Sequence, residues 1–137
     1  MALRQVVFMG RIEAEKESSR SNWAVISITE PDTEPAHLKT GWHAVLRQEF
    51  HDVDYSDASD PYTLFSEHQA RELVTFLTKV EAEGVEGILV HCKAGISRSA
   101  AVARWIAFGY GLPFVENYSL YNRHIFRLLI QVEKQQG

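Results

Sequence analysis

Ile88-Leu89-Val90-His91-Cys92-Lys93-Ala94-Gly95-Ile96-Ser97-Arg98-Ser99-Ala100-Ala101-Val102 is the stretch on which the reading of this chain turns. Ile88 to Val90 is a short, wholly apolar run between Gly87 and His91, which suits a strand buried on both faces. Ser97 to Ser99 can open a helix that continues through Ala100, Ala101, Val102, Trp105 and Ile106 to Gly109. A buried strand feeding a loop that opens a helix is a crossover unit, and it argues for a layered α/β domain. In such sheets ligands bind beyond the carboxyl ends of the strands, which is where residues 91–99 fall.

Outward from that unit, Arg4 to Met9, Trp23 to Thr29 and His43 to Phe50 read as strands, rich in β-branched and aromatic residues. Glu13 to Ser21 is polar and charged and fits either a surface loop or a frayed helical turn. Glu30-Pro31-Asp32-Thr33-Glu34-Pro35 breaks regular structure, and Asp52 to Pro61 reads as a loop. Ser66 and Gln69 form a capping-box pattern ahead of Leu73, Val74, Phe76, Leu77 and Val80, a helical face that Gly84 ends. Pro113 is expected to open another helical stretch. A last helix should follow Asn122, with Ile125, Phe126, Leu128, Leu129 and Val132 as its apolar residues. The expected architecture is one α/β domain over residues 1–137, with a mostly parallel central sheet flanked by helices.

Bulk composition narrows the function. Hydrophobic residues make up 45% and charged residues 23% of the 137, ordinary for a soluble globular chain. A net charge of −4 gives no support to general nucleic-acid or anionic-membrane binding, so neither partner is expected. The single cysteine excludes an internal disulfide. The first residues turn polar too soon for a signal peptide, and no apolar run reaches membrane-helix length. A reducing, cytoplasmic setting is the expectation, and it suits a reactive thiolate.

Each residue type in the 91–99 loop has a chemical use. The thiolate of cysteine is the nucleophilic form. Unpaired N–H groups and the partial positive charge at a helix start both favour it for Cys92. The N–H groups of Lys93, Ala94, Gly95, Ile96, Ser97 and Arg98 can form a nest for a dianion. Gly95 allows close backbone approach or a positive φ. Arg98 offers a planar fork for two phosphate oxygens, and Ser99 can donate a hydrogen bond to the Cys92 sulfur. His91 is expected to bond backbone and tune the thiolate rather than act as a base. Taken alone, Cys92 fits a small buried hydrophobe, Arg98 a surface group and Gly95 a turn; it is their joint spacing after this strand that points to chemistry. The pattern G-x-x-x-x-G-K-S/T of nucleotide-binding loops is absent.

His91-Cys92-x5-Arg98-Ser99 closely resembles the signature of the protein tyrosine phosphatase superfamily. Ala94 to Ala100 looks most like its dual-specificity branch, especially small bacterial and phage-like members. The resemblance spans roughly residues 23–130, including the strand ending Glu49-Phe50-His51-Asp52, the helix from Ser66, and Asn122-Arg123, which resembles the asparagine segment that helps hold the loop. It implies hydrolysis of a phosphate monoester, of phosphorylated proteins or small molecules, through a phosphocysteine intermediate, with no metal or other cofactor. A leaving alcohol or phenol needs a proton donor. The resemblance puts that aspartate just after Phe50: Asp52 matches best and Asp54 is next, while Asp57 and Asp60 fit a solvated loop better. His37, His43, His51, His68 and His124 show no metal spacing. Two rival readings stand beside this one. A rhodanese-like sulfurtransferase also uses a cysteine in a strand–loop–helix turn, but with a shorter loop between cysteine and arginine than the six positions from Cys92 to Arg98. A non-catalytic module would hold phosphorylated partners on the same fold.

Overall fold

Parallel strands dominate because the connections between them are long. The computed structural model describes residues 2–54, 59 and 61–136. Its elements, in chain order, are β1 (Gln5–Gly10), α1 (Arg11–Lys16), β2 (Trp23–Thr29), β3 (Ala44–Glu49), α2 (Glu67–Ala82), β4 (Gly87–Cys92), α3 (Arg98–Tyr110) and α4 (Arg123–Gln136). The sheet is four-stranded, in the order β1-β4-β2-β3, and every pairing is parallel. The expected sheet flanked by helices is what the chain forms.

Strand β4 lies between β1 and β2, and all six of its residues are buried. Its alternation divides two apolar layers. Ile88, Val90 and Cys92 join Ala24, Ile26 and Ile28 in the core packed under α2, α3 and α4. Leu89 faces the other way, with Val25, Trp23 and Ala14 of α1. His91 follows Leu89 by two and shares that second face with Ser27, its register partner on β2. Each fully buried Ile, Leu or Val contributes about 1.5–3 kcal/mol of transfer free energy, so a strand apolar on both faces belongs in the centre.

Helix α2 starts at a complete capping box: the Gln69 N–H donates to Ser66 Oγ at 3.1 Å, and the Ser66 N–H donates to Gln69 Oε1 at 3.1 Å. It buries Ala70, Leu73, Leu77 and Val80 and closes before Gly84, whose φ is +87°. The segment left open between loop and helical turn contains a helix that starts earlier than its polar run, at Arg11. An Arg11–Glu15 ion pair of 3.1 Å supports it, four residues apart on one face. Pro113 opens no helix. Gly111 ends α3 in the left-handed conformation, and residues 112–122 continue as irregular chain. Packing overrides the local preference there: Phe114 stacks on Phe8 of β1 at 5.6 Å, and Tyr118 meets both rings edge-on. The described part of 52–61 is irregular, as expected; Asp57 and Asp60 lie outside the described residues.

Candidate functional site

The loop from Lys93 to Ser97 joins the C-terminal end of β4 to the first turn of α3 and wraps around the Cys92 sulfur. Cys92 is 2% exposed. The Gly95 N–H donates to Sγ at 3.3 Å, and Ser99 Oγ lies 3.2 Å from it. Gly95 holds φ at +73°, and a Cβ there would sit 2.3 Å from the Gly10 nitrogen. Only glycine meets both conditions, the left-handed backbone and the contact with the β1–α1 turn. Gly10 answers it from the other side, since a Cβ at Gly10 would press on the carbonyl oxygens of Lys93 and Ala94 at 3.1 and 3.2 Å.

Carbonyl groups of the loop are engaged by surrounding chain. The Arg11 N–H donates to Lys93 O at 3.1 Å, Tyr118 Oη donates to Ile96 O at 2.5 Å, and the Asn122 N–H donates to Ser97 O at 3.1 Å. In a planar trans peptide the N–H points opposite to the C=O. Tying carbonyls to the surrounding framework therefore turns N–H groups toward the loop's interior.

Arg98 is 5% exposed, so its charge needs partners. Nη1 donates to Phe50 O at 2.9 Å, and Nη2 pairs with Glu30 Oε2 at 2.5 Å. Nε is buried and has no partner among the described residues. A buried donor left unpaired costs about 1–3 kcal/mol, a cost that an anion bound there would offset. Glu30 escaped the sequence reading, which saw only a breaker at Glu30-Pro31. Its signal was positional: an acidic residue directly after a buried strand, at the carboxyl edge of the sheet.

Asp52 and Asn122 meet at the rim of the loop. Asp52 Oδ1 accepts from Ser97 Oγ at 2.8 Å and from Asn122 Nδ2 at 2.9 Å. Asn122 also caps α4, where its Oδ1 accepts from the Ile125 N–H at 3.0 Å. Asp54 turns to the same helix end and accepts from the His124 N–H at 3.3 Å. Arg123 turns to Tyr121, donating to its Oη at 2.6 Å. Lys93, Ala94 and Ile96 are exposed on the loop, and Ser97 is half-buried.

His91 is fully buried, and burial, with the positive charges of Arg11 and Arg47 adding to it, holds its ring below the usual imidazole range. The ring is therefore neutral and carries one N–H. Nε2 lies 2.6 Å from Ser27 Oγ, and Nδ1 lies 3.4 Å from Cys92 O. Nδ1–H donating to the carbonyl leaves Nε2 to accept from the serine hydroxyl. Such a ring ties β4 to β2 and offers the sulfur no positive charge. Among the described residues, no group of three or more His, Cys, Asp or Glu side chains could hold a metal ion. No helix among them is long and apolar enough to cross a membrane.

Solved structures of the same architecture are phosphatases and a phosphatase-like protein. Human DUSP28 superposes with a TM-score of 0.61 at 19% identity, covering 96% of this chain and 92% of its own. Tk-PTP in its active form gives a TM-score of 0.55 at 20% identity, over 96% and 92%. The human tyrosine phosphatase-like serine/threonine/tyrosine-interacting protein gives 0.55 at 17% identity, over 82% and 77%. No protein-family model and no curated protein sequence matches the chain. The fold is that of the dual-specificity phosphatases, in line with the resemblance carried by His91 to Ser99.

Proposed function

We propose that residues 1–137 form a cysteine-dependent phosphatase acting on phosphate monoesters, with phosphotyrosine, phosphoserine or phosphothreonine of proteins as the favoured substrate class. The observation that carries the proposal is the loop itself. It closes on the Cys92 sulfur with an N–H donor and a hydroxyl at 3.3 and 3.2 Å, and it opens onto an arginine whose buried Nε has no partner among the described residues. The Cys92 thiolate attacks phosphorus, the S–P bond forms and the bond to the leaving oxygen breaks. Arg98 and the N–H groups of residues 93–98 bind the equatorial oxygens as charge builds on them. Asp52 gives its proton to the leaving oxygen. In the second step Asp52 takes a proton from water, the water oxygen bonds to phosphorus, and the electron pair of the S–P bond returns to Cys92. Asp52 is preferred to Asp54 because its carboxylate joins the loop directly through Ser97, whereas Asp54 serves the end of α4. Neither a metal nor another cofactor has a step in this scheme.

A metal-free hydrolysis panel of aryl phosphate, phosphopeptides, RNA 5′-phosphates and phosphoinositides, with vanadate as inhibitor and thiosulfate as the sulfurtransferase control, tests the proposal. Vanadate-sensitive release of phosphate supports it. Thiosulfate turnover without phosphate release would replace it with the sulfurtransferase reading. Phosphopeptide binding with no turnover would replace it with the binding module.

Asp52→Asn keeps an oxygen that can accept from Ser97 and Asn122 while removing the transferable proton. The rate on alkyl and protein phosphates should fall by roughly 10²- to 10⁴-fold, and far less on phenols acidic enough to leave unaided. Steady-state rates across a leaving-group series check this, and the same pattern in Asp54→Asn alone would move the role to Asp54.

Ser99→Ala should slow breakdown of the phosphocysteine more than its formation, because the hydroxyl 3.2 Å from Sγ is placed to stabilise the departing thiolate. A charge-assisted hydrogen bond of about 1.5–3 kcal/mol corresponds to a loss on the order of ten- to a hundred-fold. Stopped-flow traces should show a burst of phenol followed by a slowed steady rate. Equal slowing of both phases would reduce Ser99 to a helix-start residue.

A further inference from the structure

We infer that the hydroxyl of Tyr118 is a positioning group for the phosphate loop, fixing the Ile96–Ser97 peptide so that the Ser97 N–H faces the bound anion. This rests on the phosphatase reading and goes beyond it by adding a residue from outside the signature. Among the loop's carbonyls, Lys93 O is held by the backbone N–H of Arg11, and Ser97 O by the backbone N–H groups of Ala101 and Asn122. Ile96 O is held instead by a side chain, the phenol of Tyr118 at 2.5 Å. Among the described residues, that peptide's carbonyl therefore hangs on one hydroxyl. Without it the Ile96 carbonyl has no donor from this segment, and the peptide is free to rotate between its two flanking torsions, taking the Ser97 N–H out of the nest.

The segment that delivers Tyr118 is firmly attached. Its ring meets Phe8 of β1 at 5.4 Å and Phe114 at 6.1 Å, both edge-on. Asn117 just before it adopts φ of +58°, a conformation asparagine tolerates better than most residues. Farther along, the Arg104 guanidinium of α3 lies 4.7 Å over the Tyr121 ring and 5.4 Å over Phe126 of α4. Burial, and then the charge of a nearby Cys92 thiolate, push the Tyr118 phenol above its ordinary range, so it keeps its proton and remains a donor.

Tyr118→Phe removes the donor and keeps the ring contacts. Phe114→Leu loosens the same segment and keeps the hydroxyl. Binding of inorganic phosphate by titration calorimetry, thermal midpoints, and amide signals of Ile96 and Ser97 in ¹⁵N spectra are the readouts. The expected result is at least a tenfold weaker phosphate affinity in Tyr118→Phe, exchange broadening confined to the loop, a midpoint close to the parent's, and a clearly smaller affinity loss in Phe114→Leu. Phosphate affinity within twofold of the parent in Tyr118→Phe would overturn the inference, as would equal losses in the two variants. Absence of phosphate binding in the parent protein would count against the phosphatase reading instead. The Ile96 and Ser97 signals would then decide alone, and their being unchanged in Tyr118→Phe would overturn the positioning role.

Discussion

Replacing Cys92 by serine is expected to lower turnover by about 10⁴-fold or more while leaving phosphate affinity within a few-fold of the parent. A serine hydroxyl is not ionised at neutral pH, and among the described residues no side chain bonded to Cys92 is a base that could deprotonate it. His91 points to the opposite face of the sheet and bonds Ser27, and Ser99 is itself a hydroxyl. The anion site survives because its donors belong to the loop and Arg98, and the loop keeps its bonds to Arg11, Tyr118 and Asn122 when the Gly95 N–H exchanges sulfur for a serine oxygen. Burst and steady-state assays, together with phosphate titration of the variant, separate the two effects. Appreciable residual hydrolysis, with the same leaving-group dependence as the parent, would exclude the covalent route.

Arg98→Lys should be nearly as damaging as Arg98→Ala. The parent guanidinium already spends Nη1 on Phe50 O and Nη2 on Glu30, and its Nε has no partner among the described residues. A lysine offers one point charge with no fixed fork, and satisfying Glu30 draws that charge away from the anion. Losing two charge-assisted hydrogen bonds of about 1.5–3 kcal/mol each in the transition state corresponds to roughly 10²- to 10⁴-fold in kcat/KM. Thermal midpoints of both variants should also fall, because alanine leaves Glu30 with no cation and lysine gives it a single ammonium in place of the guanidinium, so alanine should cost more on this measure than lysine. A lysine variant with close to full kcat/KM would refute the fork geometry.

What the sequence made legible is what neighbouring residues decide. Ile88 to Val90 announce a central strand because both of their faces are apolar, and Ser66 with Gln69 announce a helix start because a capping box spans three positions. The loop from Cys92 to Ser99 was readable for the same reason. Its supports were not, because they come from far along the chain: Phe50 is 48 positions from Arg98, and Asp52 is 70 from Asn122. Asn122 was legible as the residue before the last helix, but its role in holding the loop came only through the family resemblance. Glu30 was hidden behind its proline. Tyr118 lies in irregular chain, where neither helical nor strand periodicity applies, and Pro113 misled because a local preference for helix starts gave way to the packing of Phe114 on Phe8.

The placement of β4 ties the making of the site to the making of the sheet. Strands β1 and β2 are not neighbours, and the gap between them is filled only when β4 arrives, with Gln5 opposite Gly87 and Trp23 opposite the same residue. Until then β1 has no strand to pair with, and the loop that β4 carries has no β1–α1 turn to rest on. Pairings so distant in sequence close slowly, since the chain must lose loop entropy before they reward it. The strand that bears the sulfur is thus the keystone of the sheet, the one through which β1 joins β2 and β3, and a chain in which the sheet is incomplete has no assembled nest for an anion.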